Sequence, residues 1–146
     1  MSVIIKGMAE VQAALNSFAF DMDKAVDDAV RVTATKVQQT AIKAIREPSI
    51  GTYVTRGNGN GNSRTHIASK PGDAPNTDTG RLIGSILVDH HKGDKVAFVG
   101  TNLDYGFFLE TVHNRPWLEP SKDKEIKSFA KNITTAIDIQ IKKAGK

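Results

Sequence analysis

The sequence YGFFLETVHNRPWLEP, residues 105–120, contains four of the nine aromatic residues of the chain: Tyr105, Phe107, Phe108 and Trp117. Aromatic side chains bury large apolar areas, so we expect the hydrophobic core to centre on this segment. Its first half has the pattern of a short apolar turn or helix. The Asn-Arg-Pro sequence then breaks the backbone, and the chain returns to the core at the tryptophan. The segment therefore predicts a junction between a small sheet and a C-terminal helix.

The composition is typical of one domain from a reducing compartment. The chain has 146 residues, of which 39% are hydrophobic, and no cysteine, which excludes disulfides and thiolate metal sites. We expect residues 1–146 to form a single domain. No apolar run approaches the roughly 18 residues that would cross a membrane, and the N-terminal sequence lacks a signal-peptide pattern.

The net charge of +4 is concentrated near the C-terminus. Residues 121–146 hold seven of the 20 basic side chains and three of the 16 acidic ones, so the rest of the chain is balanced. A basic segment is compatible with contact to nucleic acid or to an acidic protein surface. The alternative interpretation, which we favour, is a solvated lysine face on a surface helix.

A helical pattern dominates the first third of the chain. Apolar or small residues recur every three or four positions across residues 11–45, which traces one face of a helix. Asp21 or Asp23 is a suitable helix cap, so we predict a short helix over residues 9–19 and a long one over residues 22–46.

Two further elements are predicted beyond the middle of the chain. Residues 85–89 and 95–101 have the alternation of paired strands, with Gly93 free to adopt a positive φ in the turn between them. Both faces of this hairpin are apolar, so we expect helices on each side. A helix is predicted over residues 121–143, with Ser121 as its cap.

Residues 48–76 form a long connection that we predict to be a flexible, glycine-rich loop. Its GNGNGNSR sequence, residues 57–64, has no apolar side chain and cannot offset its ordering entropy by burial. The glycine spacing resembles that of a phosphate-binding loop, but the Gly-Lys-Ser/Thr ending and the flanking strand are missing. We expect the basic residues Arg56, Arg64 and Lys70 to face a partner protein or DNA.

No catalytic or metal centre is predicted. His90 and His91 would point to opposite faces of a strand and could not easily share an ion, so we expect two exposed histidines near a turn. Glu110 and Glu119 are more consistent with capping backbone groups or pairing with Arg115 than with acid–base chemistry. We therefore expect no catalytic residue, no metal, no cofactor and no small-molecule substrate.

Several short motifs follow one another in a fixed order. The chain reads P-G-x-A-P at residues 71–75, T-G-x-L-x-x-S at 79–85, Y-x-x-F-x-E at 105–110 and R-P-W-L-x-P at 115–120. With its motifs in this order, the chain resembles the neck proteins of long-tailed bacteriophages, the head–tail connector and tail-completion family. The resemblance covers nearly the whole chain. The matching motif positions are Gly80, Leu82, Ser85, Tyr105, Phe108, Glu110, Arg115, Pro116, Trp117 and Pro120. The chain departs from the family pattern with Trp117 in place of phenylalanine and Gly106 in place of alanine, and with Thr-Val-His at residues 111–113 in place of Gly-Thr.

The resemblance implies an α+β fold in which long N-terminal helices and a C-terminal helix pack on a small curved antiparallel sheet. It also implies a structural protein, not an enzyme, that is assembled in the host cytoplasm into the neck or tail of the virion. Such a protein would form a ring, often a hexamer, that contacts connector or adaptor proteins and tail-tube or terminator proteins while DNA passes through its lumen. No membrane contact is implied.

Ring subunits need complementary edges, and two segments are candidates to supply them. Residues 1–8 predict an N-terminal arm or edge strand, and residues 95–101 a strand with a free edge. The alternative hypothesis for the whole protein is a small basic nucleic-acid-binding protein that contacts phosphates by charge alone.

Overall fold

The computed structural model describes residues 8–57 and 59–144, so the predicted N-terminal arm lies, apart from Met8, outside the described residues. These residues form an α+β fold with two long helices and two antiparallel sheets of two strands each. The predicted fold class is confirmed, although two separate hairpins take the place of one curved sheet. The elements are α1 (Met8–Arg46), β1 (Thr52–Gly57), β2 (Ser63–Ala68), α2 (Arg81–Ser85), β3 (Ile86–His91), β4 (Val96–Thr101), α3 (Asp104–Thr111) and α4 (Glu119–Ala144).

Helix α1 is one continuous helix of 39 residues, so the predicted break near Asp21 and Asp23 is wrong. Aspartate costs a helix interior only about 0.7 kcal/mol relative to alanine, which tertiary contacts can offset. The Asp23 carboxylate forms an ion pair with Lys95, and Asp27 Oδ1 lies 3.0 Å from His90 Nε2. The acidic residues therefore hold the middle of α1 against the tip of the β3–β4 hairpin instead of capping a second helix.

Helix α4 packs antiparallel to α1. The Thr40 hydroxyl donates a hydrogen bond to Glu125 Oε1 at 2.8 Å, which places the first turns of α4 beside the last turns of α1. Since α1 ends at Arg46, α4 can follow it only by running back towards its N-terminal end. The C-terminal helix predicted over residues 121–143 is thus confirmed, with bounds one or two residues wider at each end.

The hydrophobic core lies where the C-terminal end of α1 meets α2, β3 and the residues before α4. Its buried members are Ala41, Ile45, Leu82, Ile86 and Trp117. The expectation that four aromatic residues centre the core is correct only for the tryptophan. Helix α3 lies on the surface, and the other three aromatic side chains are exposed: Tyr105 by 40%, Phe107 by 64% and Phe108 by 50%.

The β3–β4 hairpin forms as predicted, with Gly93 in its turn at a φ of 98°. Its inner face packs on α1, where Gln38 Nε2 donates to the carbonyl oxygen of Ile86 at 2.6 Å. Its outer face is open, with Leu87 exposed by 60% and Phe98 by 59%. The prediction of helices on both sides is wrong because α4 packs against α1 and not against the sheet.

The segment at residues 48–76 contains a hairpin where its composition predicts a structureless loop. Strands β1 and β2 pair antiparallel along their whole length, and the hydroxyl oxygens of Thr55 and Thr65 lie 2.9 Å apart across them. At the base, Asn76 Nδ2 donates to the carbonyl oxygen of Ile67 at 3.0 Å. Backbone hydrogen bonds between the strands thus order a segment that buries little apolar area.

Candidate functional site

A groove of about 690 Å³ separates the β1–β2 hairpin from α2 and α3. Ile45, at the end of α1, also lines this groove. The groove collects motif residues that are far apart in the sequence, because α2 and α3 approach each other across the core. These residues are Gly80, Leu82, Tyr105, Phe108 and Arg115. The structure therefore brings half of the ten motif positions to one surface, where the sequence alone shows only their order.

Aromatic side chains form one wall of the groove. Tyr105 and Phe108 lie about one turn apart on α3, so both project from the same side of this helix. Partial burial raises the pKa of the Tyr105 hydroxyl above its usual 10.0, and the nearby Arg81 guanidinium partly opposes this. The wall is apolar and only half-covered, which is typical of a surface that accepts another protein.

Positive charge surrounds the same groove. Arg56, Arg81 and Arg115 line it, and the one lining carboxylate, Asp78, forms an ion pair with Arg64 at 3.2 Å. Arg115 Nη2 donates to a backbone carbonyl at 3.1 Å, while its buried Nε has no hydrogen-bond partner among residues 8–57 and 59–144. The groove thus combines an apolar wall with a net basic lining.

The three basic residues predicted to face a partner, Arg56, Arg64 and Lys70, do not form one cluster at the groove. Arg56 and Arg64 are directly opposite each other on β1 and β2, and Arg64 is engaged by Asp78. Lys70 is exposed beyond the hairpin and does not line the groove. Of these three residues, Arg56 alone is exposed, lines the groove and has no ion pair within the described part of the chain.

The Glu110 carboxylate caps helix α4. Its Oε2 accepts hydrogen bonds from the backbone N–H groups of Trp117 at 2.8 Å and Leu118 at 3.0 Å, and its Oε1 accepts one from Glu119 at 2.9 Å. A negative charge at this end of a helix also interacts favourably with the helix dipole. The capping role expected of the glutamate is confirmed, whereas Ser121, the predicted cap, instead donates to the Trp117 carbonyl at 2.6 Å.

Gly106 and Trp117 join α3 to the core. The indole Nε1 of Trp117 donates to the carbonyl oxygen of Gly106 at 3.3 Å. A Cβ atom at position 106 would lie 2.6 Å from Thr101 Cγ2 and 3.1 Å from Leu82 Cδ1, so an alanine here would force these side chains to shift. The glycine at position 106 therefore has a local cause in the packing of α3 on β4.

The remaining motif residues have structural positions outside the groove. Ser85 Oγ lies 2.6 Å from Thr101 Oγ1 and donates to the carbonyl oxygen of Leu82 at 2.8 Å, which fixes the passage from α2 into β3. Pro116 and Pro120 flank the start of α4, where they border a separate shallow depression. These residues shape the scaffold that positions the groove.

Exposed apolar side chains cover more of the surface than the periodicity of the sequence indicates. Amphipathic spacing shows which face of a helix is apolar, but not whether the same chain covers that face. The exposed large apolar residues outside the groove include Met8, Val11, Leu15, Phe20, Ile50, Tyr53, Leu87, Phe98, Phe107, Val112, Ile126 and Ile141. Among them, Phe107 neighbours Phe108 of the groove wall, with ring centroids 6.1 Å apart. An exposed aromatic pair of this kind is characteristic of the centre of protein interfaces.

The histidines do not form a metal site in the described residues, where no group of three or more suitable ligands comes together. His91 is exposed on the outer face of β3, as expected, but His90 is not: its side chain is 16% exposed and lies against Asp27.

Among the described helices, none is long and apolar enough to cross a membrane. Comparisons of the chain with protein-family models, curated proteins and solved structures found no match, so the geometry of the groove and of the exposed apolar surface carries the interpretation.

Proposed function

We propose that the protein is a structural subunit of a tailed-phage virion, which forms a ring at the head–tail joint or at the head-proximal end of the tail. DNA passes through the ring, and adjoining connector, adaptor and tail proteins bind its two faces. The observation that carries this proposal is the exposed apolar surface, which includes three of the four aromatic residues in the motif-bearing segment 105–120. A monomer leaves these side chains in water, whereas a ring covers them.

Two groups of exposed apolar side chains have the composition expected at subunit contacts. A stable protein–protein contact buries about 800 Å² on each partner, with aromatic side chains enriched at its centre. Tyr105, Phe107 and Phe108 lie within four residues of one another on α3, and Leu87 and Phe98 share the outer face of the β3–β4 hairpin. In the proposal, each set forms the centre of one contact.

The two hairpins also support self-assembly. Within the described residues each strand pairs on one side only, so β1, β2, β3 and β4 each have an edge without a strand partner. Unpaired edges accept a strand from a neighbouring chain, which supplies both affinity and register. Strand β4, predicted from the sequence as a docking edge, keeps this role in the proposal.

Basic side chains provide a non-specific surface for passing DNA. Lys124, Lys127 and Lys131 are exposed along α4, and Arg56 is exposed on β1. Phosphate contacts require no base recognition, which suits a lumen that must let any sequence pass.

Sedimentation velocity of the concentrated protein, with electron microscopy of the same sample, tests the proposal. We expect a mass several times that of the 15.8 kDa chain and ring-shaped particles. The substitution Lys43→Ala removes a charge that is 72% exposed and has no place in these contacts, so it serves as the control, with rings unchanged. A protein that stays monomeric and binds duplex DNA with a steep salt dependence would instead support the nucleic-acid-binding alternative.

A further inference from the structure

Three buried polar atoms around the groove lack a hydrogen-bond partner. They are Ser69 Oγ, Arg115 Nε and His66 Nδ1, and each is unpaired among the residues that the structure describes. All three residues line the groove between the β1–β2 hairpin, α2 and α3. Buried polar groups are nearly always paired, so three unpaired atoms around one groove point to a ligand that supplies the missing partners.

Ser69 is the least exposed of the three residues. It directly follows Ala68, the last residue of β2, and is only 4% exposed. Its carbonyl oxygen accepts a hydrogen bond from Arg115 Nη2 at 3.1 Å, so the guanidinium lies beside this serine. The same contact that holds the arginine in place therefore brings two of the unpaired groups together.

The β1–β2 hairpin directs one of its faces at the groove. Val54 and His66 are paired across the two strands, and Arg56 lies two residues further along β1. Side chains two residues apart on a strand lie on the same face, and all three of these residues line the groove. Arg56 therefore adds its charge on the same side of the hairpin as His66.

The described lining of the groove carries a surplus of positive charge. Three arginines stand against one carboxylate, that of Asp78, and this carboxylate is already paired with Arg64 at 3.2 Å. Such a surplus favours a ligand with two negative charges over a ligand with one. Arginine also forms paired, charge-assisted hydrogen bonds with phosphate oxygens. The donors and the charge together indicate a phosphate group.

The opposite wall of the groove suits the organic part of such a ligand. Tyr105 and Phe108 line it with half-exposed rings, on which a flat apolar or aromatic group can stack. The volume of about 690 Å³ lies within the range of roughly 300–1,000 Å³ that is typical of small-molecule sites. The groove therefore has room for a small organic molecule that bears a phosphate.

We propose that the groove binds a small organic phosphate monoester. The phosphate lies against Ser69, His66 and Arg115, and the flat apolar or aromatic body of the ligand lies against the rings of α3. Binding turns the Ser69 hydroxyl and the His66 ring towards the phosphate oxygens by rotation about single bonds. This site goes beyond the proposed ring function and does not depend on it, because all of its residues belong to one chain.

Isothermal titration calorimetry of the full chain with phenyl phosphate tests the site. We expect one bound molecule per chain, with an affinity about tenfold above that of benzoate, which has the same ring but a single negative charge. Inorganic phosphate, which lacks the ring, should also bind more weakly than phenyl phosphate. The inference fails if phenyl phosphate shows no saturable binding, or if either comparison ligand binds equally well.

The substitution Ser69→Ala separates a ligand-binding role from a structural one. It removes a hydroxyl that has no partner in the part of the chain that the structure describes, so we expect the free variant to be at least as thermally stable as the wild-type chain. Its affinity for phenyl phosphate should nevertheless fall about tenfold, because a hydrogen bond to a charged group is lost. Ser63→Ala, at the other end of β2, removes an exposed hydroxyl outside the groove and is the matched control. Wild-type affinity in Ser69→Ala would overturn the inference.

The substitution Arg56→Gln tests the contribution of charge. Arg56 is exposed, so we expect the variant to fold normally and to bind phenyl phosphate about two- to fivefold more weakly. Arg31→Gln, which removes an exposed arginine of α1 outside the groove, is the matched control and should keep the wild-type affinity.

A single-stranded oligonucleotide without terminal phosphates distinguishes a small ligand from a nucleic-acid backbone. We expect it not to displace phenyl phosphate from the groove. Displacement at an equal concentration of phosphate groups would show that the groove contacts the phosphodiester backbone, and would overturn the inference. Ring formation is measured separately by sedimentation, so the failure of this site would leave the proposed function standing.

Discussion

Removing the Glu110 carboxylate is predicted to weaken the junction between α3 and α4. The carboxylate accepts three backbone hydrogen bonds, at 2.8, 3.0 and 2.9 Å, from the residues that open α4. One of these donors belongs to Trp117, which is 2% exposed and cannot turn to water instead. In Glu110→Ala the three N–H groups lose their acceptor together.

The size of the effect follows from the contacts. Loss of a helix N-cap costs about 0.5–2 kcal/mol, and a buried donor left without a partner costs about 1–3 kcal/mol. Because these effects overlap at one group, we expect Glu110→Ala to lower the free energy of unfolding by about 3 kcal/mol. Glu110→Gln keeps one oxygen for Trp117 and Leu118 but turns an amide N–H₂ towards the N–H of Glu119, so we expect a loss of about 1–2 kcal/mol.

Urea denaturation followed by circular dichroism measures these differences in the free energy of unfolding. An m-value equal to that of the wild-type chain shows that the variants expose the same surface on unfolding. Glu119→Gln is the matched control. This glutamate also lies at the start of α4, but its side chain is 71% exposed, and we expect a change within about 0.5 kcal/mol. A stability of Glu110→Ala equal to that of the control would refute the capping account.

Three further predictions concern packing, ionisation and the β1–β2 hairpin. Gly106→Ala should lower the free energy of unfolding by about 1–3 kcal/mol through contact with Thr101 Cγ2, and Thr101→Ser in the same chain should restore part of it, as measured in urea. A phenolate absorbance titration of the Tyr53→Phe variant should place the pKa of Tyr105 above 10.0. Folding then favours the neutral Tyr105 hydroxyl. The contribution of this group to stability is present below pH 10.0 and is lost as the pH rises through the higher pKa of the folded state. Deletion of residues 57–62 should leave the thermal transition nearly unchanged, because no core residue lies there, yet reduce ring formation in sedimentation experiments. A cooperative unfolding defect in the deletion variant would show that the hairpin is part of the folding unit.

Short-range patterns in the sequence were sufficient to predict the secondary-structure elements near the middle and the end of the chain. The 3.6-residue periodicity predicted the apolar face of α1 and of α4, and alternation around Gly93 predicted the β3–β4 hairpin. These features depend on interactions between residues within a few positions of each other, so a local pattern contains the information. The motif order between Gly80 and Pro120 likewise marks the segments that border the groove, but not their distance in space.

Contacts between distant residues decided the rest. Within the continuous helix α1, Asp23 pairs with Lys95, 72 positions later, and α4 is capped by a glutamate from the preceding helix. The sequence by itself determined which residues are apolar and at what period they recur. Only the tertiary structure decided which of them the chain covers itself, because burial depends on how α1, α4 and the hairpins pack. That packing leaves residues 8–17 of α1 and the aromatic wall of the groove exposed to solvent.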